Sequence, residues 1–226
     1  MIHKYIRCVA AIDENIKRVL DYLEEEGVKD ETLIIYTSDQ GYWLGQHGLY
    51  DKRLLLEESV KMPLIVRYPG SIKAGTVNEE LVSNVDFAPT LLEFAGIKAD
   101  SRMQGRSIAP LLSGKTPADW RQAIWYAYGA AGHPHWGMRS KRYKLVLFPG
   151  TEDFEFYDLQ KDPREMTNLA GVTDYAAAIA AARKTVEELK REVGIQPGQL
   201  PGKAGWARAG VGERKRKKKN RKQESN

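Results

Sequence analysis

Residues 33–41 have the sequence Leu-Ile-Ile-Tyr-Thr-Ser-Asp-Gln-Gly, an apolar run that passes straight into a polar turn. Such a run is typical of a buried strand, and Asp39 and Gln40 follow at its carboxyl end. Open α/β sheets keep their ligand sites at that edge. A carboxylate beside a carboxamide offers hard oxygen donors, which suit Ca²⁺ or Mg²⁺ better than a soft metal. The stretch therefore predicts an α/β fold with a metal site at Asp39 and Gln40.

Two further polar residues follow on the next loop. Lys52 lies twelve residues after Gln40 and would add a positive point charge for an anionic substrate. The alternative is a solvated surface lysine, because most Lys side chains are exposed. His47, in the run Gly-Gln-His-Gly, could face a substrate or be an ordinary loop histidine. The residues alone leave both alternatives open.

The net charge of +5 is concentrated at the end of the chain. Residues 213–226 hold eight Lys or Arg and two Glu, a net +6 that leaves −1 for the rest. We therefore do not expect nucleic acid as a partner of the body of the chain. Residues 196–226 are rich in Gly, Pro, Lys and Arg and predict a disordered basic tail, with a polyanion-binding arm as the alternative. Because no apolar run approaches the roughly 18 residues of a membrane span, we expect no membrane partner.

The apolar pattern divides the chain in two before the tail. Residues 1–120 predict α/β structure, and residues 121–195 predict a small antiparallel sheet with one helix. A doubly wound parallel sheet needs several β-α units, but only two such strands precede residue 70 and would leave its faces and edges uncovered. Residues 1–120 are therefore interpreted as the incomplete C-terminal part of a larger α/β domain. The predicted elements are helices at 5–26, 86–95 and 174–193, a short helix at 54–59, and strands at 32–37, 63–68, 123–128, 143–148 and 154–159.

The run from Tyr36-Thr-Ser-Asp-Gln-Gly-Tyr-Trp to Ile-Val-Arg-Tyr-Pro-Gly70 resembles the second half of a type I sulfatase, a family of the alkaline phosphatase superfamily. The resemblance extends over roughly residues 5–193. Within the family it is most similar to the N-acetylglucosamine-6-sulfatases and mucin-desulfating sulfatases. It implies the C-terminal part of an alkaline-phosphatase-like α/β domain plus a small antiparallel-sheet-and-helix subdomain. The implied activity is hydrolysis of O-sulfate from sulfated sugars such as 6-sulfo-N-acetylglucosamine, when these residues are joined to an N-terminal sulfatase half.

The resemblance also implies roles for individual residues. Asp39 and Gln40 match a pair that holds Ca²⁺ in the family, with Mg²⁺ as the alternative ion. Lys52 matches a catalytic lysine that binds the substrate sulfate, and Glu57 follows it by five residues, as in the family. His133 and His135 are the implied substrate-binding histidines, with an ordinary surface loop histidine as the alternative for each, and His47 is a third candidate for substrate binding. The run His135-Trp-Gly-Met-Arg resembles a segment from which a histidine faces the sugar.

The family's nucleophile is a formylglycine made within a Cys/Ser-x-Pro-x-Arg motif, and no such motif occurs in this sequence. The single cysteine, Cys8, precedes Val-Ala-Ala and is expected to be a buried structural thiol on the apolar side of the first helix. The formylglycine is therefore absent from this chain, and the missing N-terminal half is an expected partner. The family is mostly periplasmic, secreted or lysosomal, but these residues do not define a location.

Alternatives to an active sulfatase portion remain open at this stage. The chain could be a catalytically inactive truncated fragment, or a glycan- or polyanion-binding protein that uses its tail. In the second case, deletion of residues 207–226 should abolish heparin or nucleic-acid binding. A phosphatase or phosphonate hydrolase of the same superfamily is a further alternative, because phosphate and sulfate sites are alike.

Overall fold

The computed structural model describes residues 2–129 and 134–195. These residues form two compact units, which are described one at a time. The first consists of residues 2–52 and Glu58–Trp120, and the second of Arg53–Glu57, 121–129 and 134–195. Among the described residues, no helix combines the length and apolar character that crossing a membrane requires.

The first unit mixes helices with two small sheets. Its elements, with α2 starting one residue before the unit resumes, are α1 (Ile2–Glu25), β1 (Ile34–Thr37), β2 (Trp43–Leu44), β3 (Tyr50–Asp51), α2 (Glu57–Val60), β4 (Leu64–Arg67), α3 (Phe87–Phe94) and α4 (Ala109–Leu112).

Strands β1 and β4 are those predicted from the apolar runs, but they pair antiparallel rather than parallel. Tyr36 lies opposite Ile65 in the ladder, and these side chains are 41% and 63% exposed. The expectation of two buried strands is therefore not met in this chain. The physical reason is that a sheet of two strands has too few neighbours to cover both faces.

Helix α1 has the predicted amphipathic pattern, yet none of its residues is buried. Ile6, Val9, Ile12 and Val19 are all about half exposed on its apolar side. Cys8 is exposed too, so the prediction that its thiol is buried is wrong. The apolar side of a helix becomes buried only when another layer packs on it.

The core of the first unit lies around α3 and α4. Ile108, Leu111 and Trp120 pack together, and the Trp120 indole donates a hydrogen bond of 3.1 Å to the carbonyl of Leu81. A capping box between Ser83 and the buried Asp86 fixes the 3-10 turn Asn84–Asp86, which leads directly into α3.

The second unit is a four-stranded antiparallel sheet in the order β5-β6-β7-β8, with helix α5 packed against it. Leu145, Phe156 and Val186 are fully buried between sheet and helix. The elements are β5 (Ala123–Tyr128), β6 (His135–Ser140), β7 (Tyr143–Leu147), β8 (Phe154–Asp158) and α5 (Ala176–Glu192).

Strand β6 was not predicted, although it lies inside the sheet. Its Gly137 lies against β7, where a Cβ atom would lie 1.9 Å from the carbonyl oxygen of Leu145 and 3.1 Å from a side-chain carbon of Leu55. Only glycine therefore fits this position without moving the backbone. Because glycine is uncommon inside strands, the same residue made the strand hard to recognise in the sequence.

Candidate functional site

The predicted metal pair, Asp39 and Gln40, lies in the turn directly after β1. Asp39 is exposed and Gln40 is half-buried. The Ser38 hydroxyl lies 3.4 Å from Asp39 Oδ1 and 3.0 Å from the Gln40 carbonyl oxygen. The turn is therefore held by its own side chains, with the Asp39 carboxylate facing solvent.

Gly41 closes this turn against the segment that contains α2. Its N–H donates a 2.8 Å hydrogen bond to the carbonyl of Ser59. A Cβ atom at position 41 would lie 1.9 Å from the carbonyl oxygen of Glu58. The Asp-Gln pair is consequently tied to a backbone contact that only glycine permits.

Asp39 and Gln40 offer the kind of oxygen donors that a hard cation prefers, but fewer of them than its coordination shell needs. A carboxylate and an amide oxygen suit Ca²⁺ or Mg²⁺, but Ca²⁺ takes about six to eight oxygens. Within residues 2–129 and 134–195, no group of three or more His, Cys, Asp or Glu side chains is arranged to hold a metal ion. Asp39 and Gln40 can therefore supply part of a coordination shell, and the other ligands would come from elsewhere.

Lys52 follows a hairpin formed by β2 and β3, in which Trp43 pairs with Asp51. Lys52 is half-buried, and both of its neighbours have positive φ, 94° at Asp51 and 128° at Arg53. Non-glycine residues in such conformations cost of order 1–3 kcal/mol and cluster at functional sites. The backbone strain around Lys52 is thus a second observation, independent of the motif, that marks this lysine.

His47 lies in the turn of the same hairpin, with φ of 53°. Its Nε2 lies 3.5 Å from Oε2 of Glu58, and its side chain is 14% exposed. The imidazole is therefore held beside a carboxylate of the first unit.

Arg53–Glu57, which we call the strap, belongs to the second unit. Leu55 and Leu56 in its middle are buried. The Tyr126 hydroxyl donates a 3.2 Å hydrogen bond to the carbonyl of Arg53, and the N–H of Glu57 donates a 2.7 Å hydrogen bond to Glu165 Oε2. The segment that follows Lys52 is thus fastened at both ends.

The far end of the strap enters a buried charge cluster that consists of Glu57, Arg139, Lys144 and Glu165. The Lys144 ammonium lies 2.8 Å from Glu57 Oε1 and 2.5 Å from Glu165 Oε1. Arg139 contacts Glu57 at 3.1 Å. Lys144 and Glu165 are fully enclosed, so each charge depends on its partners.

The two carboxyl groups of the charge cluster respond in opposite directions. Burial raises the pKa of Glu165, and the neighbouring Lys144 and the Glu57 N–H offset this only in part. For Glu57, burial also acts to raise the pKa, but the charges and hydrogen bonds of Lys144 and Arg139 outweigh it and lower the pKa. Glu57 is therefore the more firmly ionised of the pair.

Sequence reasoning noted Glu57 only for its spacing from Lys52, and it did not single out Glu165. Lys144 was not singled out, because a lysine in a strand is ordinarily an exposed residue. The one available signal was its place in a run of apolar strand residues, Tyr-Lys-Leu-Val-Leu.

The predicted histidines fall in different places. His135 lies on β6 of the second unit, fully buried, with its ring 5.8 Å from Tyr126, 5.4 Å from Tyr128 and 6.0 Å from Phe148. His133 lies outside the described residues. Asp39, Gln40, His47 and Lys52 all belong to the first unit.

Solved structures with this architecture define the class. A protein in complex with its substrate D-glucosamine-2-N, 6-O-disulfate matches with a TM-score of 0.80 and 46% identity, over 82% of this chain and 39% of that one. Phosphonate monoester hydrolase of Agrobacterium radiobacter matches with a TM-score of 0.76 and 30% identity, over 82% and 40%. The fold is the alkaline-phosphatase-like α/β fold that sulfatases use.

The sequence comparisons identify the family to which the chain belongs among proteins with this fold. The family described as N-sulphoglucosamine sulphohydrolase, C-terminal, matches residues 45–192. N-acetylglucosamine-6-O-sulfatase of Bacteroides thetaiotaomicron is 47% identical over 196 residues, which are 83% of this chain and 35% of that protein. The chain belongs to this sulfatase family, and it spans about a third of the length of the curated relative.

Proposed function

We propose that the chain is the C-terminal portion of a sulfuric ester hydrolase that acts on 6-O-sulfated glucosamine sugars such as 6-sulfo-N-acetylglucosamine. The observation that carries the proposal is the likeness, at 46% identity, to the protein bound to D-glucosamine-2-N, 6-O-disulfate. In the reaction the ester S–O bond breaks, an oxygen from water ends on sulfur, and the sugar hydroxyl and sulfate are released.

In this proposal Lys52 contacts the sulfate. Negative charge grows on the leaving oxygen as the S–O bond breaks, and a fixed cation in a partly dry site stabilises that charge. The half-buried position of Lys52 and the strained residues on both sides support a preset orientation. Lysine supplies a point charge rather than a fork, which suits a tetrahedral anion.

Asp39 and Gln40 would hold Ca²⁺, with Mg²⁺ as the alternative. The bound ion would supply positive charge that polarises the sulfate. The exposure of the Asp39 carboxylate and the anchoring of the turn by Gly41 support this assignment. His47, His133 and His135 are proposed sugar contacts, and contact through His135 requires its buried ring to be uncovered on binding.

The nucleophile would come from residues that this sequence does not contain. Sulfatases use a formylglycine, and no Cys/Ser-x-Pro-x-Arg motif lies within the 226 residues. We propose that an N-terminal sulfatase portion supplies this group and covers the apolar side of α1. The greater length of the relatives and the exposed Ile6, Val9 and Ile12 support this arrangement.

The test is a chimera in which this chain replaces the corresponding C-terminal region of the Bacteroides relative. We expect sulfate release from 6-sulfo-N-acetylglucosamine, and a fall of about 100- to 1000-fold in kcat for Lys52→Ala. The matched control is Lys61→Ala, which removes an exposed lysine of the same unit and should leave the rate unchanged. A chimera that folds but releases no sulfate contradicts the proposal.

A phosphonate monoester is the counter-substrate, because a hydrolase of that class shares the fold at 30% identity. Faster hydrolysis of the phosphonate than of the sulfate ester would replace the sulfatase assignment by that second function. For the tail, retention of heparin binding after deletion of residues 207–226 would exclude the polyanion-binding alternative.

A further inference from the structure

The strap is held in place far more firmly than an ordinary loop. Its two leucines, Leu55 and Leu56, are 2% and 5% exposed. Gly137 lacks the side chain that would crowd Leu55, since a Cβ atom there would come within 3.1 Å of it. Burial of two leucines in a five-residue segment fixes its depth in the second unit.

The end of the strap farther from Lys52 is fixed by charge. The carboxylate of Glu57 lies between Lys144 and Arg139. The backbone N–H of Glu57 donates a hydrogen bond to Glu165. Glu165 itself has φ of 53°, a conformation that a non-glycine residue keeps only when its surroundings enforce it. The charge cluster therefore determines where Glu57 and the residues before it must lie.

A hydrogen bond helps to fix the end nearer to Lys52. The Tyr126 hydroxyl donates to the carbonyl of Arg53, the residue directly after Lys52. Arg53 has φ of 128°, and loss of the bond would remove one of the contacts that hold this strained backbone. A change in this angle would swing the peptide that carries Lys52.

We infer that Tyr126 and the charge cluster are positioning elements for Lys52, which act by fixing the strap. This inference rests on the proposed function of Lys52 as the sulfate contact. Tyr126 would not touch the substrate in this role. Its hydroxyl would set the backbone angle from which the Lys52 ammonium is directed, and misplacement by about 1 Å can cost roughly 100-fold in rate.

Tyr126→Phe is the sharpest test, because it removes one hydroxyl and leaves the ring. Its matched control is Tyr157→Phe. Tyr157 lies on the same sheet and also donates one 3.2 Å hydrogen bond, which goes to Glu155 and not to the strap. Both variants should have similar Tm values, so that a difference between them reports on the strap rather than on stability.

The first readout needs no activity and uses the full chain. Trypsin can cut after Lys52 and after Arg53, and cleavage of a folded protein follows the population of the locally open form. Mass spectrometry should show cleavage at these two bonds rising about three- to tenfold in Tyr126→Phe, the effect of one hydrogen bond. Cleavage after Lys61, an exposed internal reference, should not change. Equal cleavage in both tyrosine variants would overturn the inference.

The second readout is kinetic and uses the chimera. Tyr126→Phe should lower kcat at least tenfold with little change in KM, because the transition state needs the exact Lys52 position more than the bound substrate does. Tyr157→Phe should retain the parent kcat. Faster cleavage with an unchanged kcat would overturn the positioning role. If the parent chimera were inactive, the proposed function would fail, and the cleavage experiment would still decide whether Tyr126 holds the strap.

Discussion

The ammonium nitrogen of Lys144 lies 2.5 Å from a carboxylate oxygen of Glu165, and neither side chain has any exposed surface. Breaking a buried pair by removal of one partner commonly costs about 3–5 kcal/mol, because the remaining charge is stranded. This pair, joined by Glu57 and Arg139, is therefore a central feature of the stability of the second unit.

Lys144→Met should lower the free energy of unfolding by about 3–5 kcal/mol, since it leaves two carboxyl groups with one cation. Urea unfolding of the full chain measures this change. Lys144→Met combined with Glu165→Gln should recover part of the loss, because the stranded charge is removed while an oxygen remains for the Glu57 N–H. Lys184→Met, at a lysine 80% exposed, is the control and should have no measurable effect.

Acid should destabilise the fold through Asp158. Hydrogen bonds from Arg142 hold the pKa of Asp158 below its usual value of 3.8. The stability that this carboxylate contributes is therefore present above about pH 3.8 and is lost as pH falls through the lower folded pKa. Tm measured between about pH 2.5 and 6 should fall less steeply in Asp158→Asn than in the parent. Equal slopes would contradict a stabilising Arg142–Asp158 pair.

Gly137→Ala should destabilise the second unit by about 3 kcal/mol or more, because the new methyl group meets the Leu145 carbonyl at 1.9 Å. Gly150→Ala is the control, since Gly150 has φ of 82° but nothing within 4 Å of a Cβ atom. It should cost only about 1 kcal/mol of backbone strain. Thermal unfolding of the two variants separates crowding from strain, and equal losses would refute the crowding argument.

Cys8 should react rapidly with a thiol reagent in the native chain, because it is exposed on α1. In the chimera, the proposed N-terminal portion covers this side of the helix, and the reaction should slow at least tenfold. Absorbance at 412 nm with Ellman's reagent follows both reactions, and denatured protein gives the unprotected rate. Equal rates in the folded chain and the chimera would count against the proposed covering of α1.

Elements with a clear apolar period were predictable from sequence. The strand at Ala123–Tyr128 is confirmed with its bounds, and α5 at Ala176–Glu192 lies within two residues of the predicted ends. Strands β2 and β3 have two residues each, too few to show any period. Strand β6 was missed because Gly137 and the polar residues at its ends break the alternation.

The residues of the candidate site could be proposed from the sequence, but their arrangement could not. Asp39, Gln40 and Lys52 follow from motif spacing, and their roles stay predictions. The positive φ values at Asp51 and Arg53 could not be predicted, because sequence signals for that conformation rely on Gly or Asn. The burial of Lys144 depends on Glu57, which lies far away in sequence, so no local pattern announces it.

Because the strap interrupts the first unit in sequence, no single truncation point yields either unit complete. A fragment that starts at Arg121 would lack the two leucines and Glu57, so Lys144 would lose one carboxylate and the sheet would lose part of its cover. Recombination at residue 120 should therefore yield insoluble or unfolded products, whereas swaps that carry residues 53–57 along with the sheet should be tolerated. The second unit is therefore discontinuous in sequence, because five of its residues are encoded upstream of the rest.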